Sequence, residues 1–280
     1  MKPDGLFTEI QSPQNPRIKE VARLRQEKNR RREKKILIDG YREVQRAIRC
    51  GVRIEELFLC FEGRDPGQHA RLVELSRECG AATFEVSGRA FEKMAFGNRN
   101  EGLVAVAGEK KLSLAQLELS ESPLVLVLDG IEKPGNIGAV FRTAAAAGVE
   151  AILLTGVVAH PWNANAIRSS LGTVFEIPFV LSEYREAIAF LEKHRVSPLV
   201  TRVDGELCYS QCDLTQGVAV VLGSEADGVA EDWYRHDSLT LPMNRSVDSL
   251  NISATAAIVA FEAKRQRMVS SSAPNRDSSS

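Results

Sequence analysis

The sequence has no Cys-x-x-Cys pair. Its five cysteines, Cys50, Cys60, Cys79, Cys208 and Cys212, are odd in number and scattered along the chain. That excludes a zinc ribbon and fits reduced thiols better than a disulfide framework. Cys208 and Cys212 are spaced to share a helical face, but isolated cysteines serve mostly as small hydrophobes, and no metal site is expected. Long apolar runs are also missing. The best candidate for a membrane span is interrupted by Arg142 and Glu150, and nothing else reaches the required length. The opening MKPDGLFTEI has neither the basic nor the apolar region of a secretion signal. There is no excess of either charge, the formal net being -1, so overall charge neither demands nor forbids a polyanionic partner. A soluble, cytoplasmic protein is expected. At 280 residues, 44% hydrophobic and 26% charged, it can bury one large core or two ordinary ones.

Local charge is less even. Arg17 to Lys35, RIKEVARLRQEKNRRREKK, holds ten Lys or Arg against three Glu, a net +7. Ile18, Val21 and Leu24 recur at helical spacing, which predicts one amphipathic helix with a basic outer face. Most charge runs are solvated faces. This one is nearly all of one sign, which favours phosphate binding through Arg17, Lys19, Arg23, Arg30, Arg31, Arg32, Lys34 and Lys35. Arg168, in the later segment AIRSSLG, is added to that set.

Beyond the arm, KILIDGYREVQRAIRCGVRIEELFLCF reads as strand, helix, strand, with Val44, Ala47 and Ile48 inward and Gly51 ending the helix. HARLVELSRECGAATFEV repeats helix, glycine, strand; RAFEKMAFG is a short helix and GLVAVAG a strand. Residues 1–112 are therefore read as a basic arm with a small α/β domain, and the polar stretch 113–123 as a linker. From Leu124 to residue 268 buried strands alternate with helices, the pattern of a mostly parallel sheet covered on both faces. Residues 269–280, which include SSAPNRDSSS, are expected to be disordered.

Three loops follow apolar strands. In KPGNIGAVFRTAAAAG, Ile137, Val140, Phe141, Ala144 and Ala145 form the expected buried stripe. Arg142 lies off its centre, leaning back over Gly138. Helix-start N–H groups and a forked guanidinium favour an anion, although a solvated surface arginine is an equal reading. The loop lacks a full GxGxxG, and the next strand, AILLTGVV, ends without an acidic residue. A dinucleotide-dependent oxidoreductase is thus disfavoured. The second loop, Gly223 to Gly228, carries Glu225 and Asp227 between glycines suited to tight turns. In the third, Ser249 or Asn251 is a natural helix N-cap, and the KRQR end of the last helix suits its dipole.

Together and in this order, KPGNIGAVFRTAAAAG, LGSEADG and LPMNRSVDSLNISATAA resemble the three signature motifs of the SpoU/TrmH family of RNA ribose 2'-O-methyltransferases. The likeness spans Leu124 to Arg267, and the first domain resembles the ribosomal-protein-like substrate-binding domain of many members. The resemblance implies an open α/β sheet with a deep trefoil knot and S-adenosylmethionine (SAM) bound at Thr201, Gly223, Leu241, Met243 and Leu250. It implies a catalytic set of Asn136, Arg142, Glu225, Ser249 and Asn251, an active site formed across a homodimer, and RNA as substrate, ribosomal RNA before transfer RNA. Arg142 stays protonated, so it is expected to grip phosphate and stabilise the developing alkoxide. Asn136 and Asn251 would orient ribose and loop, and Glu225 would fix Arg142 or an RNA hydroxyl. A non-catalytic RNA-binding member is the competing reading, against which the intact set argues.

Overall fold

The computed structural model describes residues 7–96, 101–156, 159–225, 227–244 and 246–272. The chain divides into two compact units: Met1–Lys111 with His160–Glu176, and Leu112–Ala159 with Ile177–Ser280.

The first unit begins with a strand absent from the sequence reading, β1 (Thr8–Ile10), followed by α1 (Pro16–Arg23) and α2 (Glu27–Glu33). The single basic helix expected over Arg17–Lys35 is thus two helices. The apolar stripe explains the break: Ile18, Val21 and Leu24 are buried, and no apolar side chain follows until Ile36. Leu24, Arg25 and Gln26 close the first helix with short backbone bonds to Val21, Ala22 and Arg23. Then come β2 (Lys35–Asp39), α3 (Tyr41–Arg49), β3 (Ile54–Leu59), α4 (Pro66–Cys79), β4 (Ala82–Val86), α5 (Gly88–Met94) and β5 (Leu103–Gly108). The sheet order is β1-β4-β3-β5-β2, with β5 antiparallel to both neighbours. Its core joins Ile18, Val21 and Leu24 to Leu37, Phe58, Phe91, Val104 and Val106.

The second unit contains β6 (Leu124–Asp129), α6 (Pro134–Ala147) and β7 (Ala151–Thr155). The chain then makes an excursion, His160–Glu176, that packs with the first unit and carries α7 (Ala164–Ser169). The uninterrupted second domain expected from 124 to 268 is therefore entered twice. The remaining elements are β8 (Phe179–Leu181), α8 (Tyr184–Lys193), β9 (Ser197–Thr201), β10 (Leu207–Cys208), β11 (Val218–Leu222), β12 (Ser238–Thr240) and α9 (Ile252–Ser272). Among the described residues the sheet runs β10-β12-β9-β11-β6-β7-β8, every pair parallel. Each residue of the central strands β6 and β11 is buried, as a sheet covered on both faces requires.

Two boundaries differ from expectation. The stretch read as a linker buries Leu117 in the second unit's core beside Val125, Leu153 and Trp233, with Leu112, Leu114 and Leu119 packed against it. The tail read as disordered from 269 is helical to Ser272; residues 273–280 lie outside the described set, as do Val157 and Val158 of AILLTGVV. The helix end is held by more than its dipole. Arg267 donates to the carbonyls of Leu214, Ser122, Pro123 and Gln216. Cys208 and Cys212 sit at a strand end and a following turn, where the Cys212 thiol donates to the Cys208 carbonyl. No metal-binding cluster occurs among the described residues.

Candidate active site

All the loops at issue leave the carboxyl ends of parallel strands, where open α/β sheets bind ligands. The first leaves β6 and enters α6, whose N-cap is Lys133 and whose first turn holds Pro134 and Asn136. Proline belongs there, because its missing N–H costs nothing at a helix start. The buried stripe of α6 is Ile137, Gly138, Val140, Phe141, Ala144 and Ala147. Gly138 therefore lies on the packed side, one turn before the exposed Arg142, and Ala145 is only half-buried. Gly135 faces open space.

The second loop leaves β11 at Gly223. A Cβ there would lie 2.3 Å from the Gly228 carbonyl carbon, so only glycine lets the loop close on itself. Ser224 and Gly228 exchange backbone hydrogen bonds of 2.8 and 3.1 Å, and the Asp227 N–H donates to Ser224 Oγ. Glu225 is carried on the resulting tight turn. The third loop leads from β12 to α9, where Asn251 is the cap. Its Oδ1 accepts from the Ser253 N–H at 2.9 Å and the Ser253 hydroxyl at 2.6 Å. With the oxygen so engaged, the amide nitrogen must face the other way.

That nitrogen meets Glu225. Asn251 Nδ2 donates to Glu225 Oε1 at 2.6 Å and to Asn136 Oδ1 at 3.3 Å. Asn136 Nδ2 donates to the same Oε1 at 2.9 Å, and Lys133 Nζ pairs with Oε2. The three loops thus converge on one carboxylate. Lys133 first, then the two amides, hold the Glu225 carboxyl below its ordinary range. Glu225 is accordingly a poor proton acceptor and a good fixed anion.

Two cavities adjoin at this cluster. One, of about 250 Å³, is lined by Thr201, Gly223, Leu241, Met243, Leu250 and Ser249 among others, so the residues singled out for cofactor binding share a single cleft. It is predominantly apolar, with backbone-rich glycine turns at its rim. The other, of about 220 Å³, is lined by Ile131, Glu132, Lys133 and Asn136. Ser224, Glu225 and Ile252 line both. The Thr201 hydroxyl is spent on the Val221 carbonyl at 2.9 Å, leaving contact and backbone groups for a ligand.

Arg142 is not in this cluster. It is exposed, lines neither cavity and is not the partner of Glu225. Six residues along α6 from Asn136 amount to about 600° of rotation, so the two side chains leave different faces of the helix.

The basic set also separates. Arg30 is 4% exposed and donates to the Leu24 and Arg25 carbonyls at 2.9 Å. It caps the end of α1 and is withdrawn from phosphate binding. Arg168 is half-buried, its guanidinium on the Phe96 carbonyl. Arg17 pairs with Glu56 at 2.9 Å and lies over the Phe84 ring. Arg31 pairs with Glu27, Arg32 with Glu33 and Lys35 with Glu55. Lys34 stands in the left-handed conformation that ends α2. Arg23 and Lys34 are exposed and Lys19 half-buried.

Lys133, the first residue of KPGNIGAVFRTAAAAG, has no role expected from the sequence, although its charge is opposite to that of Glu225. Nor has Asp129, the last residue of the strand LVLVLD.

Residues 123–261 match the model of the SpoU rRNA Methylase family, and residues 15–105 match that of the MRM3-like substrate binding domain. Over 221 residues the chain is 31% identical to the 23S rRNA (guanosine-2'-O-)-methyltransferase RlmB of Bordetella pertussis, covering 76% of this chain and 90% of that protein. It is 27% identical to the 23S rRNA (guanosine(2553)-2'-O)-methyltransferase RlmP of Bacillus subtilis over 90% of this chain and 98% of the relative. Among solved structures, an RNA 2'-O ribose methyltransferase superposes with a TM-score of 0.82 at 33% identity, covering 93% of this chain and all of the other. An AdoMet-bound rRNA methyltransferase from Sinorhizobium meliloti gives 0.83 at 25% identity, covering 92% and 98%.

Proposed function

This chain belongs to the SpoU rRNA Methylase family, and we propose that it transfers a methyl group from SAM to a ribose 2'-hydroxyl of ribosomal RNA. The observation that carries the reading is the junction itself: an apolar cleft and a polar pocket that share Glu225, held by Asn136, Asn251 and Lys133. Ribosomal RNA is favoured over transfer RNA by the relatives' substrates and by the match to a substrate-binding domain.

The cleft fits the cofactor. Its volume is near the lower end of the roughly 300–1,000 Å³ typical of ligand pockets, and Leu241, Met243 and Leu250 offer an apolar slot beside Gly223. When bound, SAM supplies an electrophilic methyl on sulfur. The protein's part is positioning. Glu225, fixed and ionised, orients Asn136 and Asn251 so that their amides can set the ribose for in-line attack. Ser249, on the cleft wall, acts on the same loop. Arg142 grips the target phosphate and steadies the developing alkoxide.

The active site is completed across a homodimer, with Arg142 supplied to the partner's site. Its exposed position, away from its own chain's cluster, supports this, as do Ile258, Phe261 and Val269 standing exposed on α9. We read the passage from β11 through β12 to α9 as the trefoil knot of the family, residues 124–268 apart from the excursion His160–Glu176 as the methyltransferase domain, and residues 1–112 as the RNA-binding domain in a cytoplasmic protein. Within the latter Arg17, Lys19, Arg23, Arg31, Arg32, Lys34 and Lys35 supply the phosphate contacts. Mapping 2'-O-methylated nucleotides in ribosomal RNA from cells with and without the gene tests the reading. Loss of one site with the gene is expected; an unchanged map, with no transfer to ribosomal RNA by the pure protein, overturns it.

A further inference from the structure

Asp129 ends β6, is 2% exposed and lines neither cavity. A carboxylate in that position is costly unless its oxygens are well supplied with donors. Three supply them. Thr155 Oγ1, at the end of β7, donates to Oδ1 at 2.9 Å. The Ala230 backbone N–H donates to Oδ2 at 2.7 Å. The Tyr184 hydroxyl, from the start of α8, donates as well; burial first and this bond second push its pKa up to about 12. Gly156 makes room for it, because a Cβ there would lie 2.3 Å from the Tyr184 hydroxyl oxygen.

Ala230 is the exit of the loop that carries Glu225. Ser224 and Gly228 close the turn with their own backbone bonds, and its downstream end is tied at Ala230. The other end of Asp129's influence is the chain itself. Gly130 follows it, bonded to the Thr155 carbonyl at 2.9 Å, and leads directly to Lys133 and Asn136.

We propose that Asp129 is a positioning residue for methyl transfer, fixing the Glu225 loop against the start of α6 so that the Asn136–Glu225 contact is made. This rests on the proposed function for its catalytic consequence, not for its structural one.

The test compares four variants at temperatures well below their melting midpoints. Asp129→Ala removes the anchor. Asp129→Asn is the conservative rescue: the amide oxygen can accept from Ala230 while its NH2 donates to the Thr155 hydroxyl. Thr155→Val weakens the same buried carboxylate without releasing the loop. Ala230→Pro deletes only the loop's N–H, at a residue whose φ of -63° suits proline. Expected are a kcat at least tenfold lower for Asp129→Ala and Ala230→Pro, near-normal kcat for Asp129→Asn, and a change under threefold for Thr155→Val despite a lower Tm. The acid limb of the pH–rate profile should move to higher pH in the first two, as Glu225 loses its donors. Hydrogen exchange should report faster exchange of the 223–230 amides in the same two variants. Because exchange does not depend on activity, an inactive wild-type protein would overturn the proposed function while the exchange data still judge the anchor. If Asp129→Ala does not fold, Ala230→Pro decides. Normal kcat and protection in Ala230→Pro, or Asp129→Asn as impaired as Asp129→Ala, would overturn the proposal.

Discussion

Asn251 holds two structures at once: its Oδ1 caps α9 through Ser253, and its Nδ2 donates to Glu225 across 2.6 Å. The cap fixes which way the amide points, and so gives Glu225 a donor that cannot turn away. The two duties can be separated by substitution. Asn251→Asp keeps the capping oxygen but sets a second carboxylate against Glu225. It should leave thermal stability nearly unchanged and lower turnover by about 10²-fold, the usual cost of losing one preorganised donor. Asn251→Ala should lose turnover similarly and also about 1 kcal/mol of stability. Parallel melting curves and initial rates check this; equal activity of Asn251→Asp and the wild type would contradict it.

Lys133 is the first cause of the lowered Glu225 pKa. A carboxyl held down in the folded state stays ionised until the pH falls through that lowered value. Below it the acidic proton disrupts the cluster, whereas between neutral pH and the ordinary range near 4.3 Glu225 does not titrate. Activity should therefore show no limb from Glu225 around pH 5–6. In Lys133→Met the carboxyl loses its main support, and the acid limb should shift upward toward the ordinary value. Rates measured against pH for both proteins decide it; superimposable acid limbs would show that the ion pair does not tune the site.

The strands around this site were legible because β6 and β11 are buried on both faces and read as unbroken apolar runs. Asn136, Glu225 and Asn251 could be named from their motifs, but their convergence could not. Asn136 and Glu225 lie 89 residues apart and meet only when β6 and β11 pair in register. Polar tie points were the least legible. Arg30 stands in a run with Arg31 and Arg32, and nothing in RRR distinguishes the one turned inward to the Leu24 carbonyl. The excursion His160–Glu176 hid for the same reason: AIRSSLG carries the pattern of a helix, and a pattern does not say which core the helix joins.

Arg30 and the less buried basic residues around it should accordingly behave as opposites. Arg30→Ala leaves the buried Leu24 carbonyl and the part-buried Arg25 carbonyl without their donor and should cost about 2 kcal/mol. Lys19→Ala, Arg23→Ala and Lys34→Ala should alter stability by less than about 0.5 kcal/mol. Each should also reduce the salt slope of RNA binding by about 0.7–0.9. Binding isotherms at several ionic strengths, beside melting curves, make the comparison. Retained stability in Arg30→Ala would refute the capping role.

Arg142 offers the sharpest test of where the active site is assembled. It is exposed, off the packed stripe of α6, and has no part in the Glu225 cluster. Arg142→Ala should therefore melt like the wild type and bind SAM within about twofold, because the cleft is untouched, while transfer falls by about 10²–10³-fold. If Arg142 serves the partner's site, mixing it with Asn136→Ala should restore activity that neither variant has alone. Random re-pairing makes half of the dimers mixed, and each mixed dimer carries one site with Asn136 from one protomer and Arg142 from the other. About one quarter of wild-type activity is then the expected ceiling. No recovery on mixing, in dimers verified to exchange subunits, would place Arg142 in its own chain's chemistry and remove the main support for a shared site.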